Sequence, residues 1–371
     1  MGLLDYYKQF EGLSEEEVNA GLRKEAGERR RTALARVEAL DLSRTTWPAY
    51  PPHTVVNAIT YAARRGLHRY LDDHAAALRA ELSHRHDLAD GRLVVGDGAA
   101  QLLSAAAQAL LEPSDELITP WPSYPLYPLL ARHARGHAVP VSGFGIEPVL
   151  AAVNDRTRLV VLCNPNDPTG ELLRLGELRE LLEALPERVV VLLDEALRDF
   201  ADAEPLDATL ALLEDHPRLL IFRTFSKAWG LAGLRTGYAI GGPGAEPLLE
   251  QLEPPLGLNE LAQAGALEAL RNAAGIVARR VEGVAAERAR LHAALAERAV
   301  DVGPSQANVL WLRAHDLDGA ELSRRLERGA IKVQSGGAFG DREHVRIAVH
   351  DAAATDRFLR ALDIALRPGA R

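Results

Sequence analysis

The feature that most constrains this chain is a pair of short runs, LVVLC (159–163) and VVVLL (189–193), that are apolar at every position. A strand with one solvated face alternates polar and apolar residues, whereas a strand without alternation has both faces covered. Such strands belong to a parallel sheet enclosed by helices, and the helical segment GELRELLEALPE lies between the two runs. The same alternation begins near residue 50. GRLVVGDGAAQLLSAAAQALL reads as a strand, a glycine turn and an apolar helix. DELITPWPSYPLYPLLARHA, HAVPVSG and RLLIFRTFSKAWG continue the pattern of strand and helix. The predicted class is α/β, with a mainly parallel, helix-covered sheet. Ligands on such sheets bind at the carboxyl ends of strands. Polar residues stand at those ends here: the turn from Asn164 after LVVLC, and Asp194 after VVVLL.

At 371 residues the chain has room for two domains. Residues 1–45 read as a charged helical extension. In it, LSEEEV offers Ser14 as an N-cap with Glu17 three residues on, the pattern of a capping box, and Arg29, Arg30 and Arg31 read as a solvated helix face. Residues 46–250 carry the alternating pattern of a large domain. Residues 251–371 carry one or two long helices over 257–300. After Pro304 comes a smaller α+β unit of NVLWLRA, LDGAELSRRLERG, IKVQSGG and HVRIAVH.

Charge and composition exclude several classes. A net charge of −9 argues against a general nucleic-acid binder. The single cysteine, Cys163, permits neither an intramolecular disulfide nor a cysteine-rich zinc site, and it reads as a small buried side chain. The histidines show no metal-ligand spacing, so no metal is expected. No apolar run approaches the ~18 residues that cross a membrane. The amino-terminal segment lacks a signal-peptide pattern, and the expected location is the cytoplasm.

Taken singly, the polar elements stay ambiguous. GDGAAQ lacks the third glycine of a dinucleotide fingerprint. It is either an ordinary strand-to-helix turn or one whose first N–H groups, at Ala99 and Ala100, hold a phosphate. NPNDPTG (164–170) is either a proline-rich turn or a rigid ligand shelf. Asp194, at the edge of the core, needs a partner, and a structural ion pair would suffice. Lys227, in RTFSKAWGLAGLRTGY, stands among Thr224, Ser226 and Gly230 with no carboxylate nearby in sequence, and Arg235 follows. Hydroxyls and an arginine fork suit a phosphate. A buried lysine suits Schiff-base chemistry, and a carboxylate facing a pyridine nitrogen is the other half of that apparatus.

On these motifs the chain resembles the fold-type I pyridoxal-phosphate enzymes of the class I/II aminotransferases, on the histidinol-phosphate aminotransferase-like branch. The resemblance spans roughly residues 60–350, carried by RTFSKAWGLAGLRTGY with NPNDPTG, LLDEA, GDGAA, LHRY, PSQANVLWL and VRIAV in order. It implies a seven-stranded-type sheet in the large domain, a small C-terminal α+β domain, and pyridoxal 5′-phosphate as cofactor. It implies that Lys227 forms the Schiff base and shuttles a proton, and that Asp194 faces the pyridine nitrogen. Tyr124 would stack on the ring, Asp167 would lie beside its O3′ oxygen, and Ala99, Ala100, Thr224, Ser226 and Arg235 would surround the phosphate. Tyr70 would reach the phosphate from a neighbouring subunit, which implies a homodimer; residues 1–45 would pack on the small domain or on that partner. Arg346 would clamp a substrate carboxylate, the substrates being an amino acid or related amine and a 2-oxo acid.

This sequence departs from the family pattern in places. Asp167 replaces the second asparagine of N-P-x-N-P-T-G, so its carboxylate must be protonated, turned away or paired. Leu197 replaces the tyrosine of D-E-A-Y. With both donors to O3′ gone, the Schiff base is expected to stay protonated to higher pH than is usual. Gln334 stands where histidinol-phosphate enzymes place an arginine for the substrate phosphate, and LDLSRTTWPAYPP replaces the usual N-E-N-P-x-G. Trp47 and Tyr50 in that segment either line the substrate pocket or pack the domain interface. A neutral glutamine near two aromatics points to an uncharged or aromatic side chain. The expected reaction is amino-group transfer; a decarboxylase or lyase on the same scaffold is the alternative, and a cofactor-binding regulatory domain has little support.

Overall fold

The computed structural model describes residues 14–34, 38–68, 73–89 and 91–367. The expected strands form, with a short strand Leu40–Asp41 (β1) preceding them. The large unit contains Leu93–Gly96 (β2), Glu116–Trp121 (β3), His137–Ser142 (β4), Thr157–Cys163 (β5), Val190–Asp194 (β6), Leu219–Thr224 (β7) and Gly237–Gly241 (β8). They make a seven-stranded sheet in the order β2-β8-β7-β6-β5-β3-β4. All neighbours are parallel except β8, which runs antiparallel to both β2 and β7.

The apolar runs account for the centre of this sheet. Leu159, Val160, Val161 and Leu162 of β5 are fully buried, as are Leu192 and Leu193 of β6. One core cluster contains Val160, Leu162, Val191 and Leu193; the other contains Leu159, Val161 and Leu192. Alternate residues therefore serve opposite faces, each closed by helices, and each buried leucine or valine contributes about 1.5–3 kcal/mol.

The carboxyl-terminal unit holds Val300–Val302 (β9), Val309–Ala314 (β10), Ile331–Lys332 (β11), Gln334–Ser335 (β12) and His344–Ala348 (β13). Four of these strands pair antiparallel in the order β12-β13-β10-β9. The segment expected to be one or two helices forms two, Glu260–Asn272 and Ala274–Ala296, meeting at Ala273. The second ties the units together: buried Arg288 donates to the carbonyls of Phe200 and Ala307, both at 2.9 Å, and pairs with Asp202.

In the amino-terminal region, Glu15–Leu34 is helical, with Ser14 and Glu17 exchanging the two hydrogen bonds of a capping box. Residues 40–42 join the carboxyl-terminal unit. β1 pairs parallel with β11, Leu42 N–H donates to the Lys332 carbonyl, and Ala348 N–H donates to Leu42. This strap carries residues 43–47 across the face where β5, β6 and β7 end. No helix among the described residues is long and apolar enough to cross a membrane.

Candidate active site

A cleft lies at the carboxyl ends of β5, β6 and β7, lined by Thr46, Ala99, Ala100, Tyr124, Asp167, Asp194, Leu197, Thr224, Ser226, Lys227 and Arg235 among others. Six separate stretches of sequence thus meet at one place. Each is held by interactions that the local sequence dictates.

Asp194 closes β6 and is buried. Tyr127 donates its hydroxyl to Asp194 Oδ2 at 2.9 Å, and Ala196 N–H donates to Oδ1 at 3.0 Å. Burial nevertheless dominates and pushes the Asp194 carboxyl up to about 6, against those hydrogen bonds and the nearby Lys227 charge. A carboxylate so poor in solvation is a strong acceptor for a cationic N–H placed in the cleft.

Lys227 lies on a loop that closes on itself. Phe225 N–H donates to Thr236, Leu231 N–H to Phe225, and Gly230 N–H to Lys227. Buried Phe225 and Ala228 anchor the loop, and Gly230 adopts the left-handed region at φ 72°. The Lys227 ammonium donates to the Thr45 hydroxyl, delivered by the amino-terminal strap. Burial lowers the Lys227 pKa, Asp167 opposes that, Arg346 reinforces it, and Asp194 opposes it. The amine is thereby shifted toward its nucleophilic, neutral form.

At the other end of the cleft the helix Ala99–Leu110 begins after Gly98, whose φ is 87°. Its first N–H groups, at Ala99 and Ala100, precede the helix's own ladder and are free for an anion. Thr224 and Ser226 hydroxyls lie 3.0 Å apart, and Arg235 Nη1 donates to Ser226 Oγ at 3.4 Å. A Cβ on Gly98 would meet Arg235 Nη2 at 2.5 Å. β8 passes so close beneath this turn that a Cβ on Gly237 would stand 2.8 Å from the Gly98 carbonyl carbon. Helix N-terminus, paired hydroxyls and guanidinium together form an anion cradle, with an amine and a buried carboxylate farther in.

The family model for class I and II aminotransferases matches residues 38–362. This chain belongs to the class I and II aminotransferases. It is 39% identical over 331 residues to an aromatic amino acid aminotransferase of Corynebacterium efficiens, covering 87% of this chain and 92% of that protein. It is 36% identical over 332 residues to histidinol-phosphate aminotransferase 1 of Nitrosococcus oceani, covering 88% and 89%. Its fold matches the Sinorhizobium meliloti histidinol-phosphate aminotransferase, solved in complex with pyridoxal-5′-phosphate, at a TM-score of 0.79 and 25% identity, over 92% of this chain and 94% of that one.

In this aminotransferase the NPNDPTG turn is stiffened by its asparagines. Asn164 exchanges hydrogen bonds with the Leu173 backbone at 2.8 and 3.0 Å. Asn166 accepts from Ser123 and donates to the Pro122 carbonyl and Thr169. Asp167 is therefore fixed on the cleft wall. Of the options open to its carboxylate, the structure takes pairing: Arg346 Nη1 donates to Asp167 Oδ1 at 2.5 Å. Leu197 is buried and lines the cleft as an apolar side chain.

Tyr124 lines the cleft half-exposed, its ring edge-on to buried Tyr127 at 5.9 Å. Gln334 sits opposite Arg346 in the β12–β13 register. Trp47 packs at the interface of the two units, under the Arg280 guanidinium at 4.5 Å and edge-on to His350. Tyr50 stands at the surface, 96% exposed. Neither aromatic lines the cleft. Tyr70 lies outside the described residues.

Several supporting residues were not singled out from sequence. Thr45, Thr46 and Ser43 reach the site from the strap, and Tyr127 reads as a core aromatic. Behind the cleft, buried Glu195 accepts from Arg223 Nε at 2.8 Å and from Thr209 at 2.7 Å. Arg223 also pairs with Asp207, which bonds His86 at 3.1 Å, and His86 bonds Tyr238 at 3.0 Å. This network locks β6 to β7 one residue from Asp194 and from Thr224.

Proposed function

We propose that this aminotransferase works with pyridoxal 5′-phosphate, that Lys227 is its catalytic amine, and that its amino donor carries an uncharged, aromatic side chain. The observation that carries the reading is the half-buried Lys227 amine, its pKa lowered by burial, in one cleft with Asp194 and an anion cradle. The donor set fits the cofactor's chemistry. Ala99 and Ala100 N–H, Thr224, Ser226 and Arg235 would hold its phosphate, Asp194 would hold the proton on its ring nitrogen, and Tyr124 would cover a ring face. When bound, the cofactor supplies the carbonyl that takes up the amino group and the ring that accepts electrons.

The chain's own residues then divide the labour. Lys227 Nζ, once released, takes the proton from the substrate carbon and returns it. Thr45 holds Nζ on the side of the strap. Arg346 stands near the Asp167 wall, and neutral Gln334 beside it offers no charge for a phosphate or carboxylate on the substrate side chain. The similarity to aromatic amino acid aminotransferases supports the same donor class.

We also infer a homodimer. Tyr61 and Leu67 are 61% and 75% exposed on and just after the helix His53–Gly66, and Tyr50 lies close in sequence. Such apolar exposure suits a subunit face, and the segment with Tyr70 follows directly, so that Tyr70 of the partner subunit would complete the phosphate site. The test is single-turnover analysis of cofactor-loaded protein with phenylalanine, tyrosine or histidinol phosphate, with sedimentation of the same sample. Stoichiometric oxo acid from the aromatic donors supports the reading. Turnover of histidinol phosphate alone, or CO₂ without oxo acid, overturns it.

A further inference from the structure

Arg280 reaches from the helix Ala274–Ala296 onto two segments at once. Its Nη1 donates to the Ala228 carbonyl, next in the chain after Lys227, and its guanidinium lies over the Trp47 ring, 4.5 Å from the centroid. Trp47 closely follows Thr45, whose hydroxyl meets Lys227 Nζ. One side chain thus touches both segments that make the Lys227–Thr45 hydrogen bond.

The local backbone makes room for it. A Cβ on Gly230 would stand 2.9 Å from Arg280 Nη1 and 3.6 Å from Trp47 Cβ, and the φ of 72° there is one that glycine adopts freely. Arg280 is half-buried, burial lowers its pKa, and no carboxylate among the described residues pairs with it. Arg288, further along the same helix, is different: it binds two carbonyls and pairs with Asp202, tying the two units together. Arg280 spends its donor on the Lys227 loop and its face on the strap. A charge-assisted bond to a carbonyl and a cation over an indole both have a preferred geometry, so together they fix the distance between loop and strap. Near Thr45 the strap is also held by Asn308 Nδ2, which donates to the Thr45 carbonyl at 3.0 Å, and by Arg346 Nη2, which donates to the Ser43 carbonyl at 2.6 Å. Both of those anchor the strap to the carboxyl-terminal unit, whereas Arg280 anchors it to the loop.

We propose that Arg280 is a positioning residue for Lys227: it clamps the loop to the strap and so keeps the Thr45 hydroxyl on Nζ. The assignment rests on the reading of Lys227 as the catalytic amine only for its effect on turnover.

The test is a double-mutant cycle of Arg280→Ala and Thr45→Val with two readouts. In the cofactor-loaded enzyme, Arg280→Ala should lower kcat about fivefold with the donor KM within about twofold, and Arg280→Lys, which keeps a cation over the indole, should recover most of the loss. The double variant should lie within about twofold of Thr45→Val, because a residue that acts through Thr45 has nothing left to position once the hydroxyl is gone. The second readout is the pH at which Lys227 is half-labelled by acetic anhydride in the cofactor-free, full-length protein, mapped by mass spectrometry. It should fall by about 0.5 in each single variant and no further in the double, since a hydroxyl that accepts from the ammonium favours the charged form. Asp167, Arg346, Asp194 and Cys163, which also act on Lys227, stay in place throughout.

Losses that multiply in the double variant, a rise in KM without a fall in kcat, or wild-type kcat and labelling in Arg280→Ala overturn the proposal. If Arg280→Ala fails to fold, Trp47→Leu takes its place, because it removes the ring and leaves the Ala228 bond. That variant should show the same pattern, and wild-type behaviour in it overturns the proposal equally. If the labelling shifts as expected but no amino donor is turned over, the functional reading fails and the positioning assignment survives. Turnover of an aromatic donor with unshifted labelling in Arg280→Ala sinks the positioning assignment alone.

Discussion

Tyr127 donates its hydroxyl to Asp194 Oδ2 at 2.9 Å, and both side chains are buried. The bond joins the helix Leu126–His133 to the end of β6. It leaves the carboxylate short of solvation, since a neutral hydroxyl and one backbone N–H replace its water. That shortage makes Asp194 a poor ion on its own and a good partner for a protonated ring nitrogen.

The cofactor-free protein should record this in its stability. Asp194 rises from an ordinary 3.8 to about 6, so the native state holds that proton longer than the unfolded chain. Its contribution is present below pH ~4 and is lost as pH rises to ~6, a change on the order of 3 kcal/mol. Urea unfolding of wild type and Asp194→Asn across pH 4–7 checks this. The variant should gain relative to wild type as pH rises through that window and stay level above it.

Thr45 should govern the efficiency of Lys227. Thr45→Val removes the hydroxyl that Nζ meets, and kcat is expected to fall about tenfold with KM for the donor little changed. Thr45→Ser should restore most of the loss. Steady-state kinetics of the three proteins decides it.

The pair behind the cleft should hold the site's frame. Glu195→Ala leaves Arg223 buried with one carboxylate partner fewer, at a cost of about 3 kcal/mol. Glu195→Gln, which keeps the shape, should cost less. Denaturant midpoints and cofactor dissociation constants should move together in this series.

Gly237 gives a steric test of the anion cradle. A Cβ there would meet the Gly98 carbonyl carbon at 2.8 Å and the Arg223 carbonyl oxygen at 2.9 Å, both backbone. Gly237→Ala should destabilise by about 1–3 kcal/mol. It should also weaken cofactor binding by displacing Ala99, measurable by fluorescence titration with the cofactor.

Much of this was legible in the sequence. β5 and β6 announced themselves because burial on both faces demands unbroken apolar runs, and Asp194 and the NPNDPTG turn stand out as the polar residues that end them. β8 did not, because GYAIG is short and begins and ends in glycine, as its passage under the Gly98 turn requires. Nor did sequence show that Arg346 would pair with Asp167, 179 residues away, or that the strap would deliver Thr45 to Lys227. Such contacts depend on how two units meet. In WPSYPLY two tyrosines share one composition signal, and only packing separates Tyr124 on the cleft wall from Tyr127 beneath Asp194.

The most direct test of Lys227 as the catalytic amine is reductive trapping. The protein is loaded with pyridoxal phosphate, treated with borohydride, digested and mapped by mass spectrometry. The prediction is a pyridoxyl group on Lys227 in the peptide containing TFSK, lost in Lys227→Ala together with at least about a thousandfold of activity. Attachment at Lys8, Lys24 or Lys332 instead, or full activity in Lys227→Ala, would contradict it.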